Sequence, residues 1–123
     1  MLKTLSLLFV LFLGTAQAAA PVESIVGVGM VIAQDGDGKV HVEWLVKNGP
    51  AEASGQIRPG DELLEVQTLP DSPWVKAPGA NIDSIVGLIR GEEGTLVGLQ
   101  LQPADGAAAK TVVIKREKFV FED

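Results

Sequence analysis

Residues 49–61 of the chain have the sequence GPAEASGQIRPGD. Pro50 stands at the start of a segment of helix-forming residues, and Gly55 stands just beyond it. This order of proline and glycine is typical of the two ends of a short helix. The Pro-Gly-Asp sequence at residues 59–61 then predicts a tight turn, because proline fixes φ and glycine tolerates positive φ values. We therefore predict a short helix followed by a turn near the centre of the chain.

Stretches rich in β-branched residues lie on both sides of this centre and predict strands. Residues 25–33 and 40–46 flank the sequence DGDG at residues 35–38, which predicts a β-hairpin. The second strand of this hairpin alternates, and the residues expected to share one face are Val40, Val42, Trp44 and Val46. Three further strands are predicted at residues 62–66, 96–101 and 110–115.

A second helix is predicted to begin after Asn81, whose side chain can cap a helix. Apolar residues follow it with the spacing of one helical face, namely Ile82, Ile85, Val86 and Ile89. Gly91 stands where a left-handed residue commonly ends a helix. Residues 67–80 contain three prolines and predict the least regular segment, in which Trp74 is either an anchor over the core or an exposed contact. Strands combined with two separated helices predict an α+β domain.

The composition excludes several classes of protein and of site. The chain has 123 residues, a length that suits one domain of ordinary size. It contains no cysteine, so disulfide frameworks, thiol catalysis and cysteine-based zinc sites are excluded. Its formal net charge of −6 is poorly matched to nucleic acid, and its basic residues form no cluster that would bind a membrane surface.

Two short patterns resemble metal or catalytic sites but are better explained by a turn and a strand. Asp35 and Asp37 have the spacing of calcium-loop carboxylates, yet Lys39 follows where a third ligand belongs and no glutamate closes such a loop. His41, the single histidine, falls on the outward phase of its strand and is expected to be solvated. No G-x-S-x-G motif is present to position a nucleophilic serine. We therefore predict no metal, no cofactor and no catalytic residue.

The first 18 residues have the pattern of a secretory signal peptide. Lys3 precedes the apolar run at residues 5–13, and Ala16 and Ala18 satisfy the small-residue rule for cleavage before residue 19. An uncleaved membrane anchor is disfavoured, because a span needs roughly 20 apolar residues. The sequence thus predicts export, removal of residues 1–18 and a product that does not remain in the membrane.

Three stretches in this order resemble a PDZ domain. They are Gly27–Met30, where that family has its Gly-apolar-Gly-apolar carboxylate-binding loop, the segment 49–61, and the sequence IRGEEGT at residues 89–95. The chain is most similar to the PDZ domain of periplasmic tail-specific (carboxy-terminal processing) proteases. The resemblance extends from about residue 25 to residue 123, and it does not include a protease domain with its Ser and Lys catalytic pair.

The resemblance implies a fold, a domain organisation and a binding mode. The expected fold is α+β and PDZ-like, a small, partly open antiparallel β-barrel or sandwich of five to six strands with two helices. Residues 25–118 would form the PDZ domain and residues 119–123 a C-terminal tail. Members of the family add a peptide as an extra strand to an exposed sheet edge and hold its terminal carboxylate with backbone N–H groups.

The expected peptide-binding residues follow from the same resemblance. From the residues alone, Val28, Gly29 and Met30 form either a nest of N–H groups around a carboxylate or a strand entry without a ligand; the resemblance favours the nest. By the same comparison Ile82 and Val86 line the outer groove. Ile85 belongs to the core. The pocket for the last peptide residue would be closed by Ile89 together with Val28, Met30 and Ile32.

Three functional hypotheses remain at this stage. The first is a soluble periplasmic PDZ module that binds apolar C-terminal or extended peptides and acts as an adaptor or regulator near proteolysis, with a periplasmic protease as a candidate partner. The second is a non-catalytic remnant or subunit of a tail-specific serine protease. The third is an interaction module whose groove is filled by its own tail, in which Phe119, Val120 and Phe121 are apolar. None of the three makes the chain itself an enzyme.

Overall fold

The structure, a computed structural model, describes residues 24–120 of the chain. These residues form eight strands and two helices. In chain order the elements are β1 (Ser24–Gly27), β2 (Met30–Gln34), β3 (Val40–Leu45), α1 (Pro50–Ser54), β4 (Glu62–Thr68), β5 (Val75–Lys76), α2 (Ile82–Ile89), β6 (Leu96–Gln102), β7 (Lys110–Lys115) and β8 (Glu117–Val120).

The main sheet is antiparallel and has the strand order β2-β3-β4-β6-β7, with the short β5 paired to β4. The strands β1 and β8 form a separate two-stranded antiparallel ribbon. The predicted antiparallel α+β fold with two helices is therefore confirmed, and the sheet is open, because β2 and β7 end the strand order. The predicted boundary between domain and tail, at residues 118 and 119, falls inside β8.

The core lies between the inner face of the sheet and the two helices. The strands β3, β6 and β7 contribute alternate residues, and α2 contributes Ile85 and Ile89. In β4 a register shift separates the two buried residues by three positions. The fully buried sheet residues are Val40, Val42, Leu63, Val66, Val97, Leu99, Leu101 and Val112. The apolar stripe predicted for α2 thus faces the core with Ile85, as expected.

The local predictions for both helices are largely confirmed. In α1, Pro50 is the first residue, and Gly55 ends the helix with a φ of 69°. The side chain of Asn81 caps α2 and accepts hydrogen bonds from the backbone N–H groups of Asp83 at 2.9 Å and Ser84 at 3.3 Å. These caps are local interactions, which explains why the sequence predicts them well.

The prediction that Gly91 ends α2 in a left-handed conformation is wrong. The helix ends at Ile89, and Arg90 follows with extended backbone angles. The left-handed glycine in this region is Gly94, with a φ of 89°. Gly91 instead lies against a buried side chain, because a Cβ atom at this position would stand 2.7 Å from Nε of Arg116. Its small size, and not its φ angle, is what this position requires.

The prediction that Trp44 shares the buried face of β3 is also wrong. Trp44 is 42% exposed, whereas Val40 and Val42 are buried. A β-bulge explains the difference: Val31 of β2 lies opposite Trp44, but the next residue of β2 lies opposite Val42. The extra residue, Glu43, shifts the alternation by one and turns Trp44 outward.

Trp74 lies on the outer face of the sheet. Its ring approaches Gly98 of β6 so closely that a Cβ atom there would stand 3.0 Å from Cη2. The neighbours of Gly98 in β6, Val97 and Leu99, point to the opposite, buried face. Trp74 is therefore an anchor over the sheet that keeps 38% of its surface exposed.

The turn between β2 and β3 is stabilised by the side chain of Asp35. Its Oδ1 atom accepts hydrogen bonds from the N–H groups of Asp37 and Lys39, and its Oδ2 atom lies 3.2 Å from Nε2 of His41. Burial raises the pKa of Asp35, but these three interactions outweigh it, so the pKa is lowered. Between residues 24 and 120 there is no cluster of three or more His, Asp or Glu side chains that could hold a metal.

A search of these same residues for a helix long and apolar enough to cross a membrane finds none. The predicted signal peptide, residues 1–18, lies outside the described residues.

Candidate functional site

The segment predicted as one strand, residues 25–33, is divided by Val28 and Gly29 into β1 and β2. Gly29 has a φ of 73°, which an L-residue rarely adopts. The carbonyl oxygen of Val28 accepts a hydrogen bond from Ala51 at 2.7 Å, and that of Gly29 accepts one from Val46 at 2.9 Å. Both carbonyl groups are therefore directed toward the interior of the domain.

The loop is also held by a close approach of two glycines. A Cβ atom on Gly29 would stand 3.2 Å from Cα of Gly49, and a Cβ atom on Gly49 would stand 3.2 Å from Cα of Gly29. Gly49 is the N-cap of α1. The helix predicted from the segment 49–61 thus fixes the position of the loop between β1 and β2.

The N–H groups of this loop have a different environment from its carbonyl groups. Within residues 24–120, no backbone or side-chain atom accepts a hydrogen bond from the N–H of Val28 or Gly29. Both residues are nonetheless buried. Backbone N–H groups of buried residues are seldom left without an acceptor, so these two donors, beside the cavity described below, mark a place where a hydrogen-bond acceptor can bind.

The N–H of Met30 is also free of a partner strand, because it points away from β3. Gly29 accepts a hydrogen bond from its opposite residue, Val46. Met30 and its partner Leu45 therefore form the next, non-hydrogen-bonded pair of the antiparallel ladder. The N–H and C=O groups of Met30 face away from β3, toward the unpaired edge of β2. This edge is open to an additional strand.

A cavity of about 100 Å³ lies beside this edge, between β2, α2 and the ribbon of β1 and β8. One water molecule needs only about 10–15 Å³ on the same kind of measure, so the cavity has room for a side chain. The cavity is lined mostly by apolar residues: Ile25, Gly27, Val28, Gly29, Met30, Val31, Ile32, Val46, Val86, Ile89, Arg90 and Phe119.

Six of the seven predicted site residues line this cavity: Val28, Gly29, Met30, Ile32, Val86 and Ile89. The seventh, Ile82, does not line it. Ile82 lies in the first turn of α2 and is half-buried. The structure therefore brings six predicted residues together and places Ile82 farther along the same helix.

Sequence reasoning did not assign the other six lining residues to the site: Ile25, Gly27, Val31, Val46, Arg90 and Phe119. The sequence contained a signal for Arg90, because this residue belongs to the stretch IRGEEGT that resembles PDZ domains. The Arg90 side chain lies against Gly27: a Cβ atom on Gly27 would stand 3.8 Å from Cγ of Arg90. Its guanidinium makes no hydrogen bond or ion pair with any residue from 24 to 120. It adds a positive charge to the lining of the cavity.

The C-terminal end of α2 is fixed by Arg116, which is 1% exposed. Its Nε atom donates to the carbonyl of Ile89 at 2.9 Å and its Nη2 atom to the carbonyl of Leu88 at 2.8 Å. The remaining donors reach Thr95, Leu96 and Thr68. Because these hydrogen bonds hold the last turn of α2, they also position Ile89 and Arg90 at the cavity.

Arg116 is a buried cation without an anionic partner. All five of its hydrogen bonds go to neutral oxygen atoms, and in the described part of the chain no carboxylate lies within ion-pair distance of it. Burial lowers the pKa of Arg116. An arginine side chain nonetheless keeps its proton in a protein, so a buried positive charge lies next to the backbone of Ile89, a residue that lines the cavity.

Comparisons with known proteins agree with this geometry. A family model described as the PDZ domain matches residues 21–70. The crystal structure of the PDZ domain of a carboxy-terminal protease from Vibrio cholerae, in complex with a peptide, superposes with a TM-score of 0.72. The two chains are 32% identical, and the match covers 79% of this chain and 98% of that one. This chain belongs to the PDZ domain family.

Full-length relatives of this PDZ domain are proteases. The tail-specific protease of Haemophilus influenzae is 33% identical over 101 residues, which cover 81% of this chain and 14% of the protease. The carboxy-terminal processing protease CtpA of Bacillus subtilis is 34% identical over 99 residues, or 80% of this chain and 19% of the protease. The chain thus spans less than one fifth of either relative, and only their PDZ portion matches. The predicted family is confirmed.

Proposed function

We propose that this PDZ domain binds the apolar C-terminal peptide of a partner protein, as an additional strand on the edge of β2. The observation that carries the proposal is that the N–H groups of two buried residues, Val28 and Gly29, lack an acceptor in residues 24–120. They lie at the start of an unpaired edge strand and beside an apolar cavity. A C-terminal peptide supplies a carboxylate, a strand and a side chain for these three features.

The peptide would run antiparallel to β2, with its carboxylate at the loop. The acceptor-free N–H groups of Val28 and Gly29, together with the N–H of Met30, would donate to the carboxylate oxygens. Hydrogen bonds to a charged group contribute roughly 1.5–3 kcal/mol each. Arg90 adds a long-range attraction of the right sign, which is reduced by solvent because its side chain is exposed.

The last peptide side chain would enter the cavity. There it would contact Met30, Val86 and Ile89, and its burial would contribute roughly 1.5–3 kcal/mol for an aliphatic residue. Its neighbour two positions before the end would point to the same side, because side chains alternate along a strand. That second side chain would lie beside Ile82, on the first turn of α2.

The apolar groove predicts the effect of one substitution. We expect Ile82→Asp to weaken the binding of a peptide with an apolar residue two positions before its end by about 1–3 kcal/mol, because the new carboxylate loses hydration when the peptide covers it. Isothermal titration measures the change. Ser84→Asp is the matched control, since it places the same charge on an exposed position of the same helix. Equal affinities of the wild type and Ile82→Asp would argue against this groove.

We further propose that the module is exported to the periplasm and acts as an adaptor or regulator near proteolysis. The sequence of residues 1–18 supports export, and the relationship to carboxy-terminal processing proteases supports the link to proteolysis. A protease is accordingly a candidate partner. The PDZ domain would occupy residues 25–118, with a tail from residue 119 whose first two residues pair with β1.

The direction of β8 bears on the alternative in which the chain fills its own groove. Glu117 lies opposite Gly27, and Val120 lies opposite Ser24, so β8 runs away from the loop at Val28 between residues 117 and 120. Residues 117–120 pair with β1 and leave the edge of β2 unpaired. This arrangement favours a peptide from another protein as the ligand.

A further inference from the structure

The wall of the cavity that is formed by the ribbon of β1 and β8 carries two apolar side chains. Ile25 and Phe119 are directly opposite each other in this antiparallel pair, so their side chains share one face of the ribbon. Both line the cavity. Val120, the next residue of β8, points to the other face and is 42% exposed. The ribbon therefore presents Phe119, and not its neighbour, to the site.

The ring of Phe119 is half-buried and lies against Gly27. Its Cε1 atom is 4.0 Å from the position that a Cβ atom of Gly27 would occupy, and the aliphatic part of Arg90 is 3.8 Å from the same point. The ring is thus at ordinary contact distance from Gly27, which has no side chain that would fill the space beside the ring. Phe119 provides the only aromatic side chain among the described residues that line the cavity.

We propose that Phe119 determines the size of the C-terminal side chain that the cavity accepts. This inference rests on the proposed function and adds a specificity determinant that lies outside the loop, β2 and α2. The Phe119 ring bounds the cavity of about 100 Å³ on the side of the ribbon, so a small aliphatic side chain such as that of alanine or valine can enter without displacing the ring. Without the ring, the cavity widens toward the ribbon and accepts a leucine or phenylalanine side chain.

The test uses four peptides that differ only in the last residue, which is Ala, Val, Leu or Phe. Their dissociation constants are measured by isothermal titration for the wild type and for Phe119→Ala. We expect the wild type to bind the Val-ending peptide at least tenfold more tightly than the Phe-ending one. In Phe119→Ala the ratio of these two affinities should fall by at least tenfold.

Two further variants separate pocket size from general loosening of the ribbon. Val120→Ala removes an apolar side chain from the opposite face of the same strand, and it should leave the ratio unchanged. Phe119→Trp enlarges the ring, and it should weaken binding of the Val-ending peptide while the Ala-ending peptide still binds. Phe119→Trp also provides the test if Phe119→Ala does not fold.

The outcomes are distinguishable. If all four peptides bind the wild type but the ratio is the same in the Phe119 variants, the inference about Phe119 is overturned and the proposed function stands. An equal loss of affinity for every peptide in Phe119→Ala also overturns it, because Phe119 would then only hold the ribbon in place. Failure of the wild type to bind any of the peptides overturns both proposals.

Discussion

Replacing Arg116 by alanine is expected to lower the free energy of unfolding by about 2–5 kcal/mol, because a large buried side chain is lost together with the hydrogen bonds that it donates. The substitution removes a donor from the carbonyl groups of Leu88, Ile89 and Leu96. Leu96 keeps the N–H of Leu69 and Leu88 keeps the Thr68 hydroxyl, so the Ile89 carbonyl is the one that loses its partner. The substitution also opens a cavity where a fully buried side chain stood. A domain of this size has a total stability of roughly 5–15 kcal/mol, so the loss is a large fraction of it.

Urea denaturation followed by tryptophan fluorescence measures this effect. Lys115→Ala is the matched control, because Lys115 is the preceding residue, carries the same charge and is exposed. We expect the control to change stability by less than about 0.5 kcal/mol, as surface substitutions usually do. Arg116→Lys should fall between the two, since it keeps the charge but cannot reproduce the five hydrogen bonds. Unchanged stability of Arg116→Ala would contradict the role assigned to this side chain.

Gly29→Ala is expected to weaken peptide binding at least about tenfold, which corresponds to about 1.4 kcal/mol. The added Cβ would stand 3.2 Å from Cα of Gly49 and 3.5 Å from Cβ of Val46. The loop must shift to relieve these contacts. Since its N–H groups are fixed by the same backbone, the proposed carboxylate donors would move with it.

A second glycine separates this effect from backbone strain alone. Gly55 has a φ of 69°, close to the 73° of Gly29, but nothing lies within 4 Å of its Cβ position. Gly55→Ala and Gly29→Ala should therefore both lose roughly 1–2 kcal/mol of stability from a left-handed L-residue. Only Gly29→Ala should lose affinity for the peptide. A similar loss of affinity in both variants would show that the loop geometry is not specifically required.

Much of the fold was predictable because its signals are local. The proline and glycine that bound α1, the Asn81 cap of α2 and the hairpin at residues 35–38 each depend on residues adjacent in sequence. The candidate site was predictable for a different reason, since the ordered resemblance to PDZ domains pointed to six of the residues that line the cavity. Periodicity alone did not separate groove residues from core residues in α2.

The errors and omissions arise from interactions between distant residues. Trp44 turns outward because of a bulge that involves the register between two strands. Gly91 is constrained by Arg116, 25 residues further along the chain. Phe119 reaches the cavity only because β8 pairs with β1, near the other end of the described chain. No local pattern carries information about such contacts.

The central claim is that the acceptor-free N–H groups of Val28 and Gly29 hold a terminal carboxylate. It is tested most directly by isothermal titration with two peptides of identical apolar sequence, one with a free C-terminus and one capped as an amide. The cap removes the charge but keeps the side chains and the strand pairing, so their contributions stay constant. We expect the amide to bind at least about tenfold more weakly, since each hydrogen bond to a charged group contributes roughly 1.5–3 kcal/mol. Equal binding of the two peptides would contradict the account and would show that the domain does not recognise C-termini.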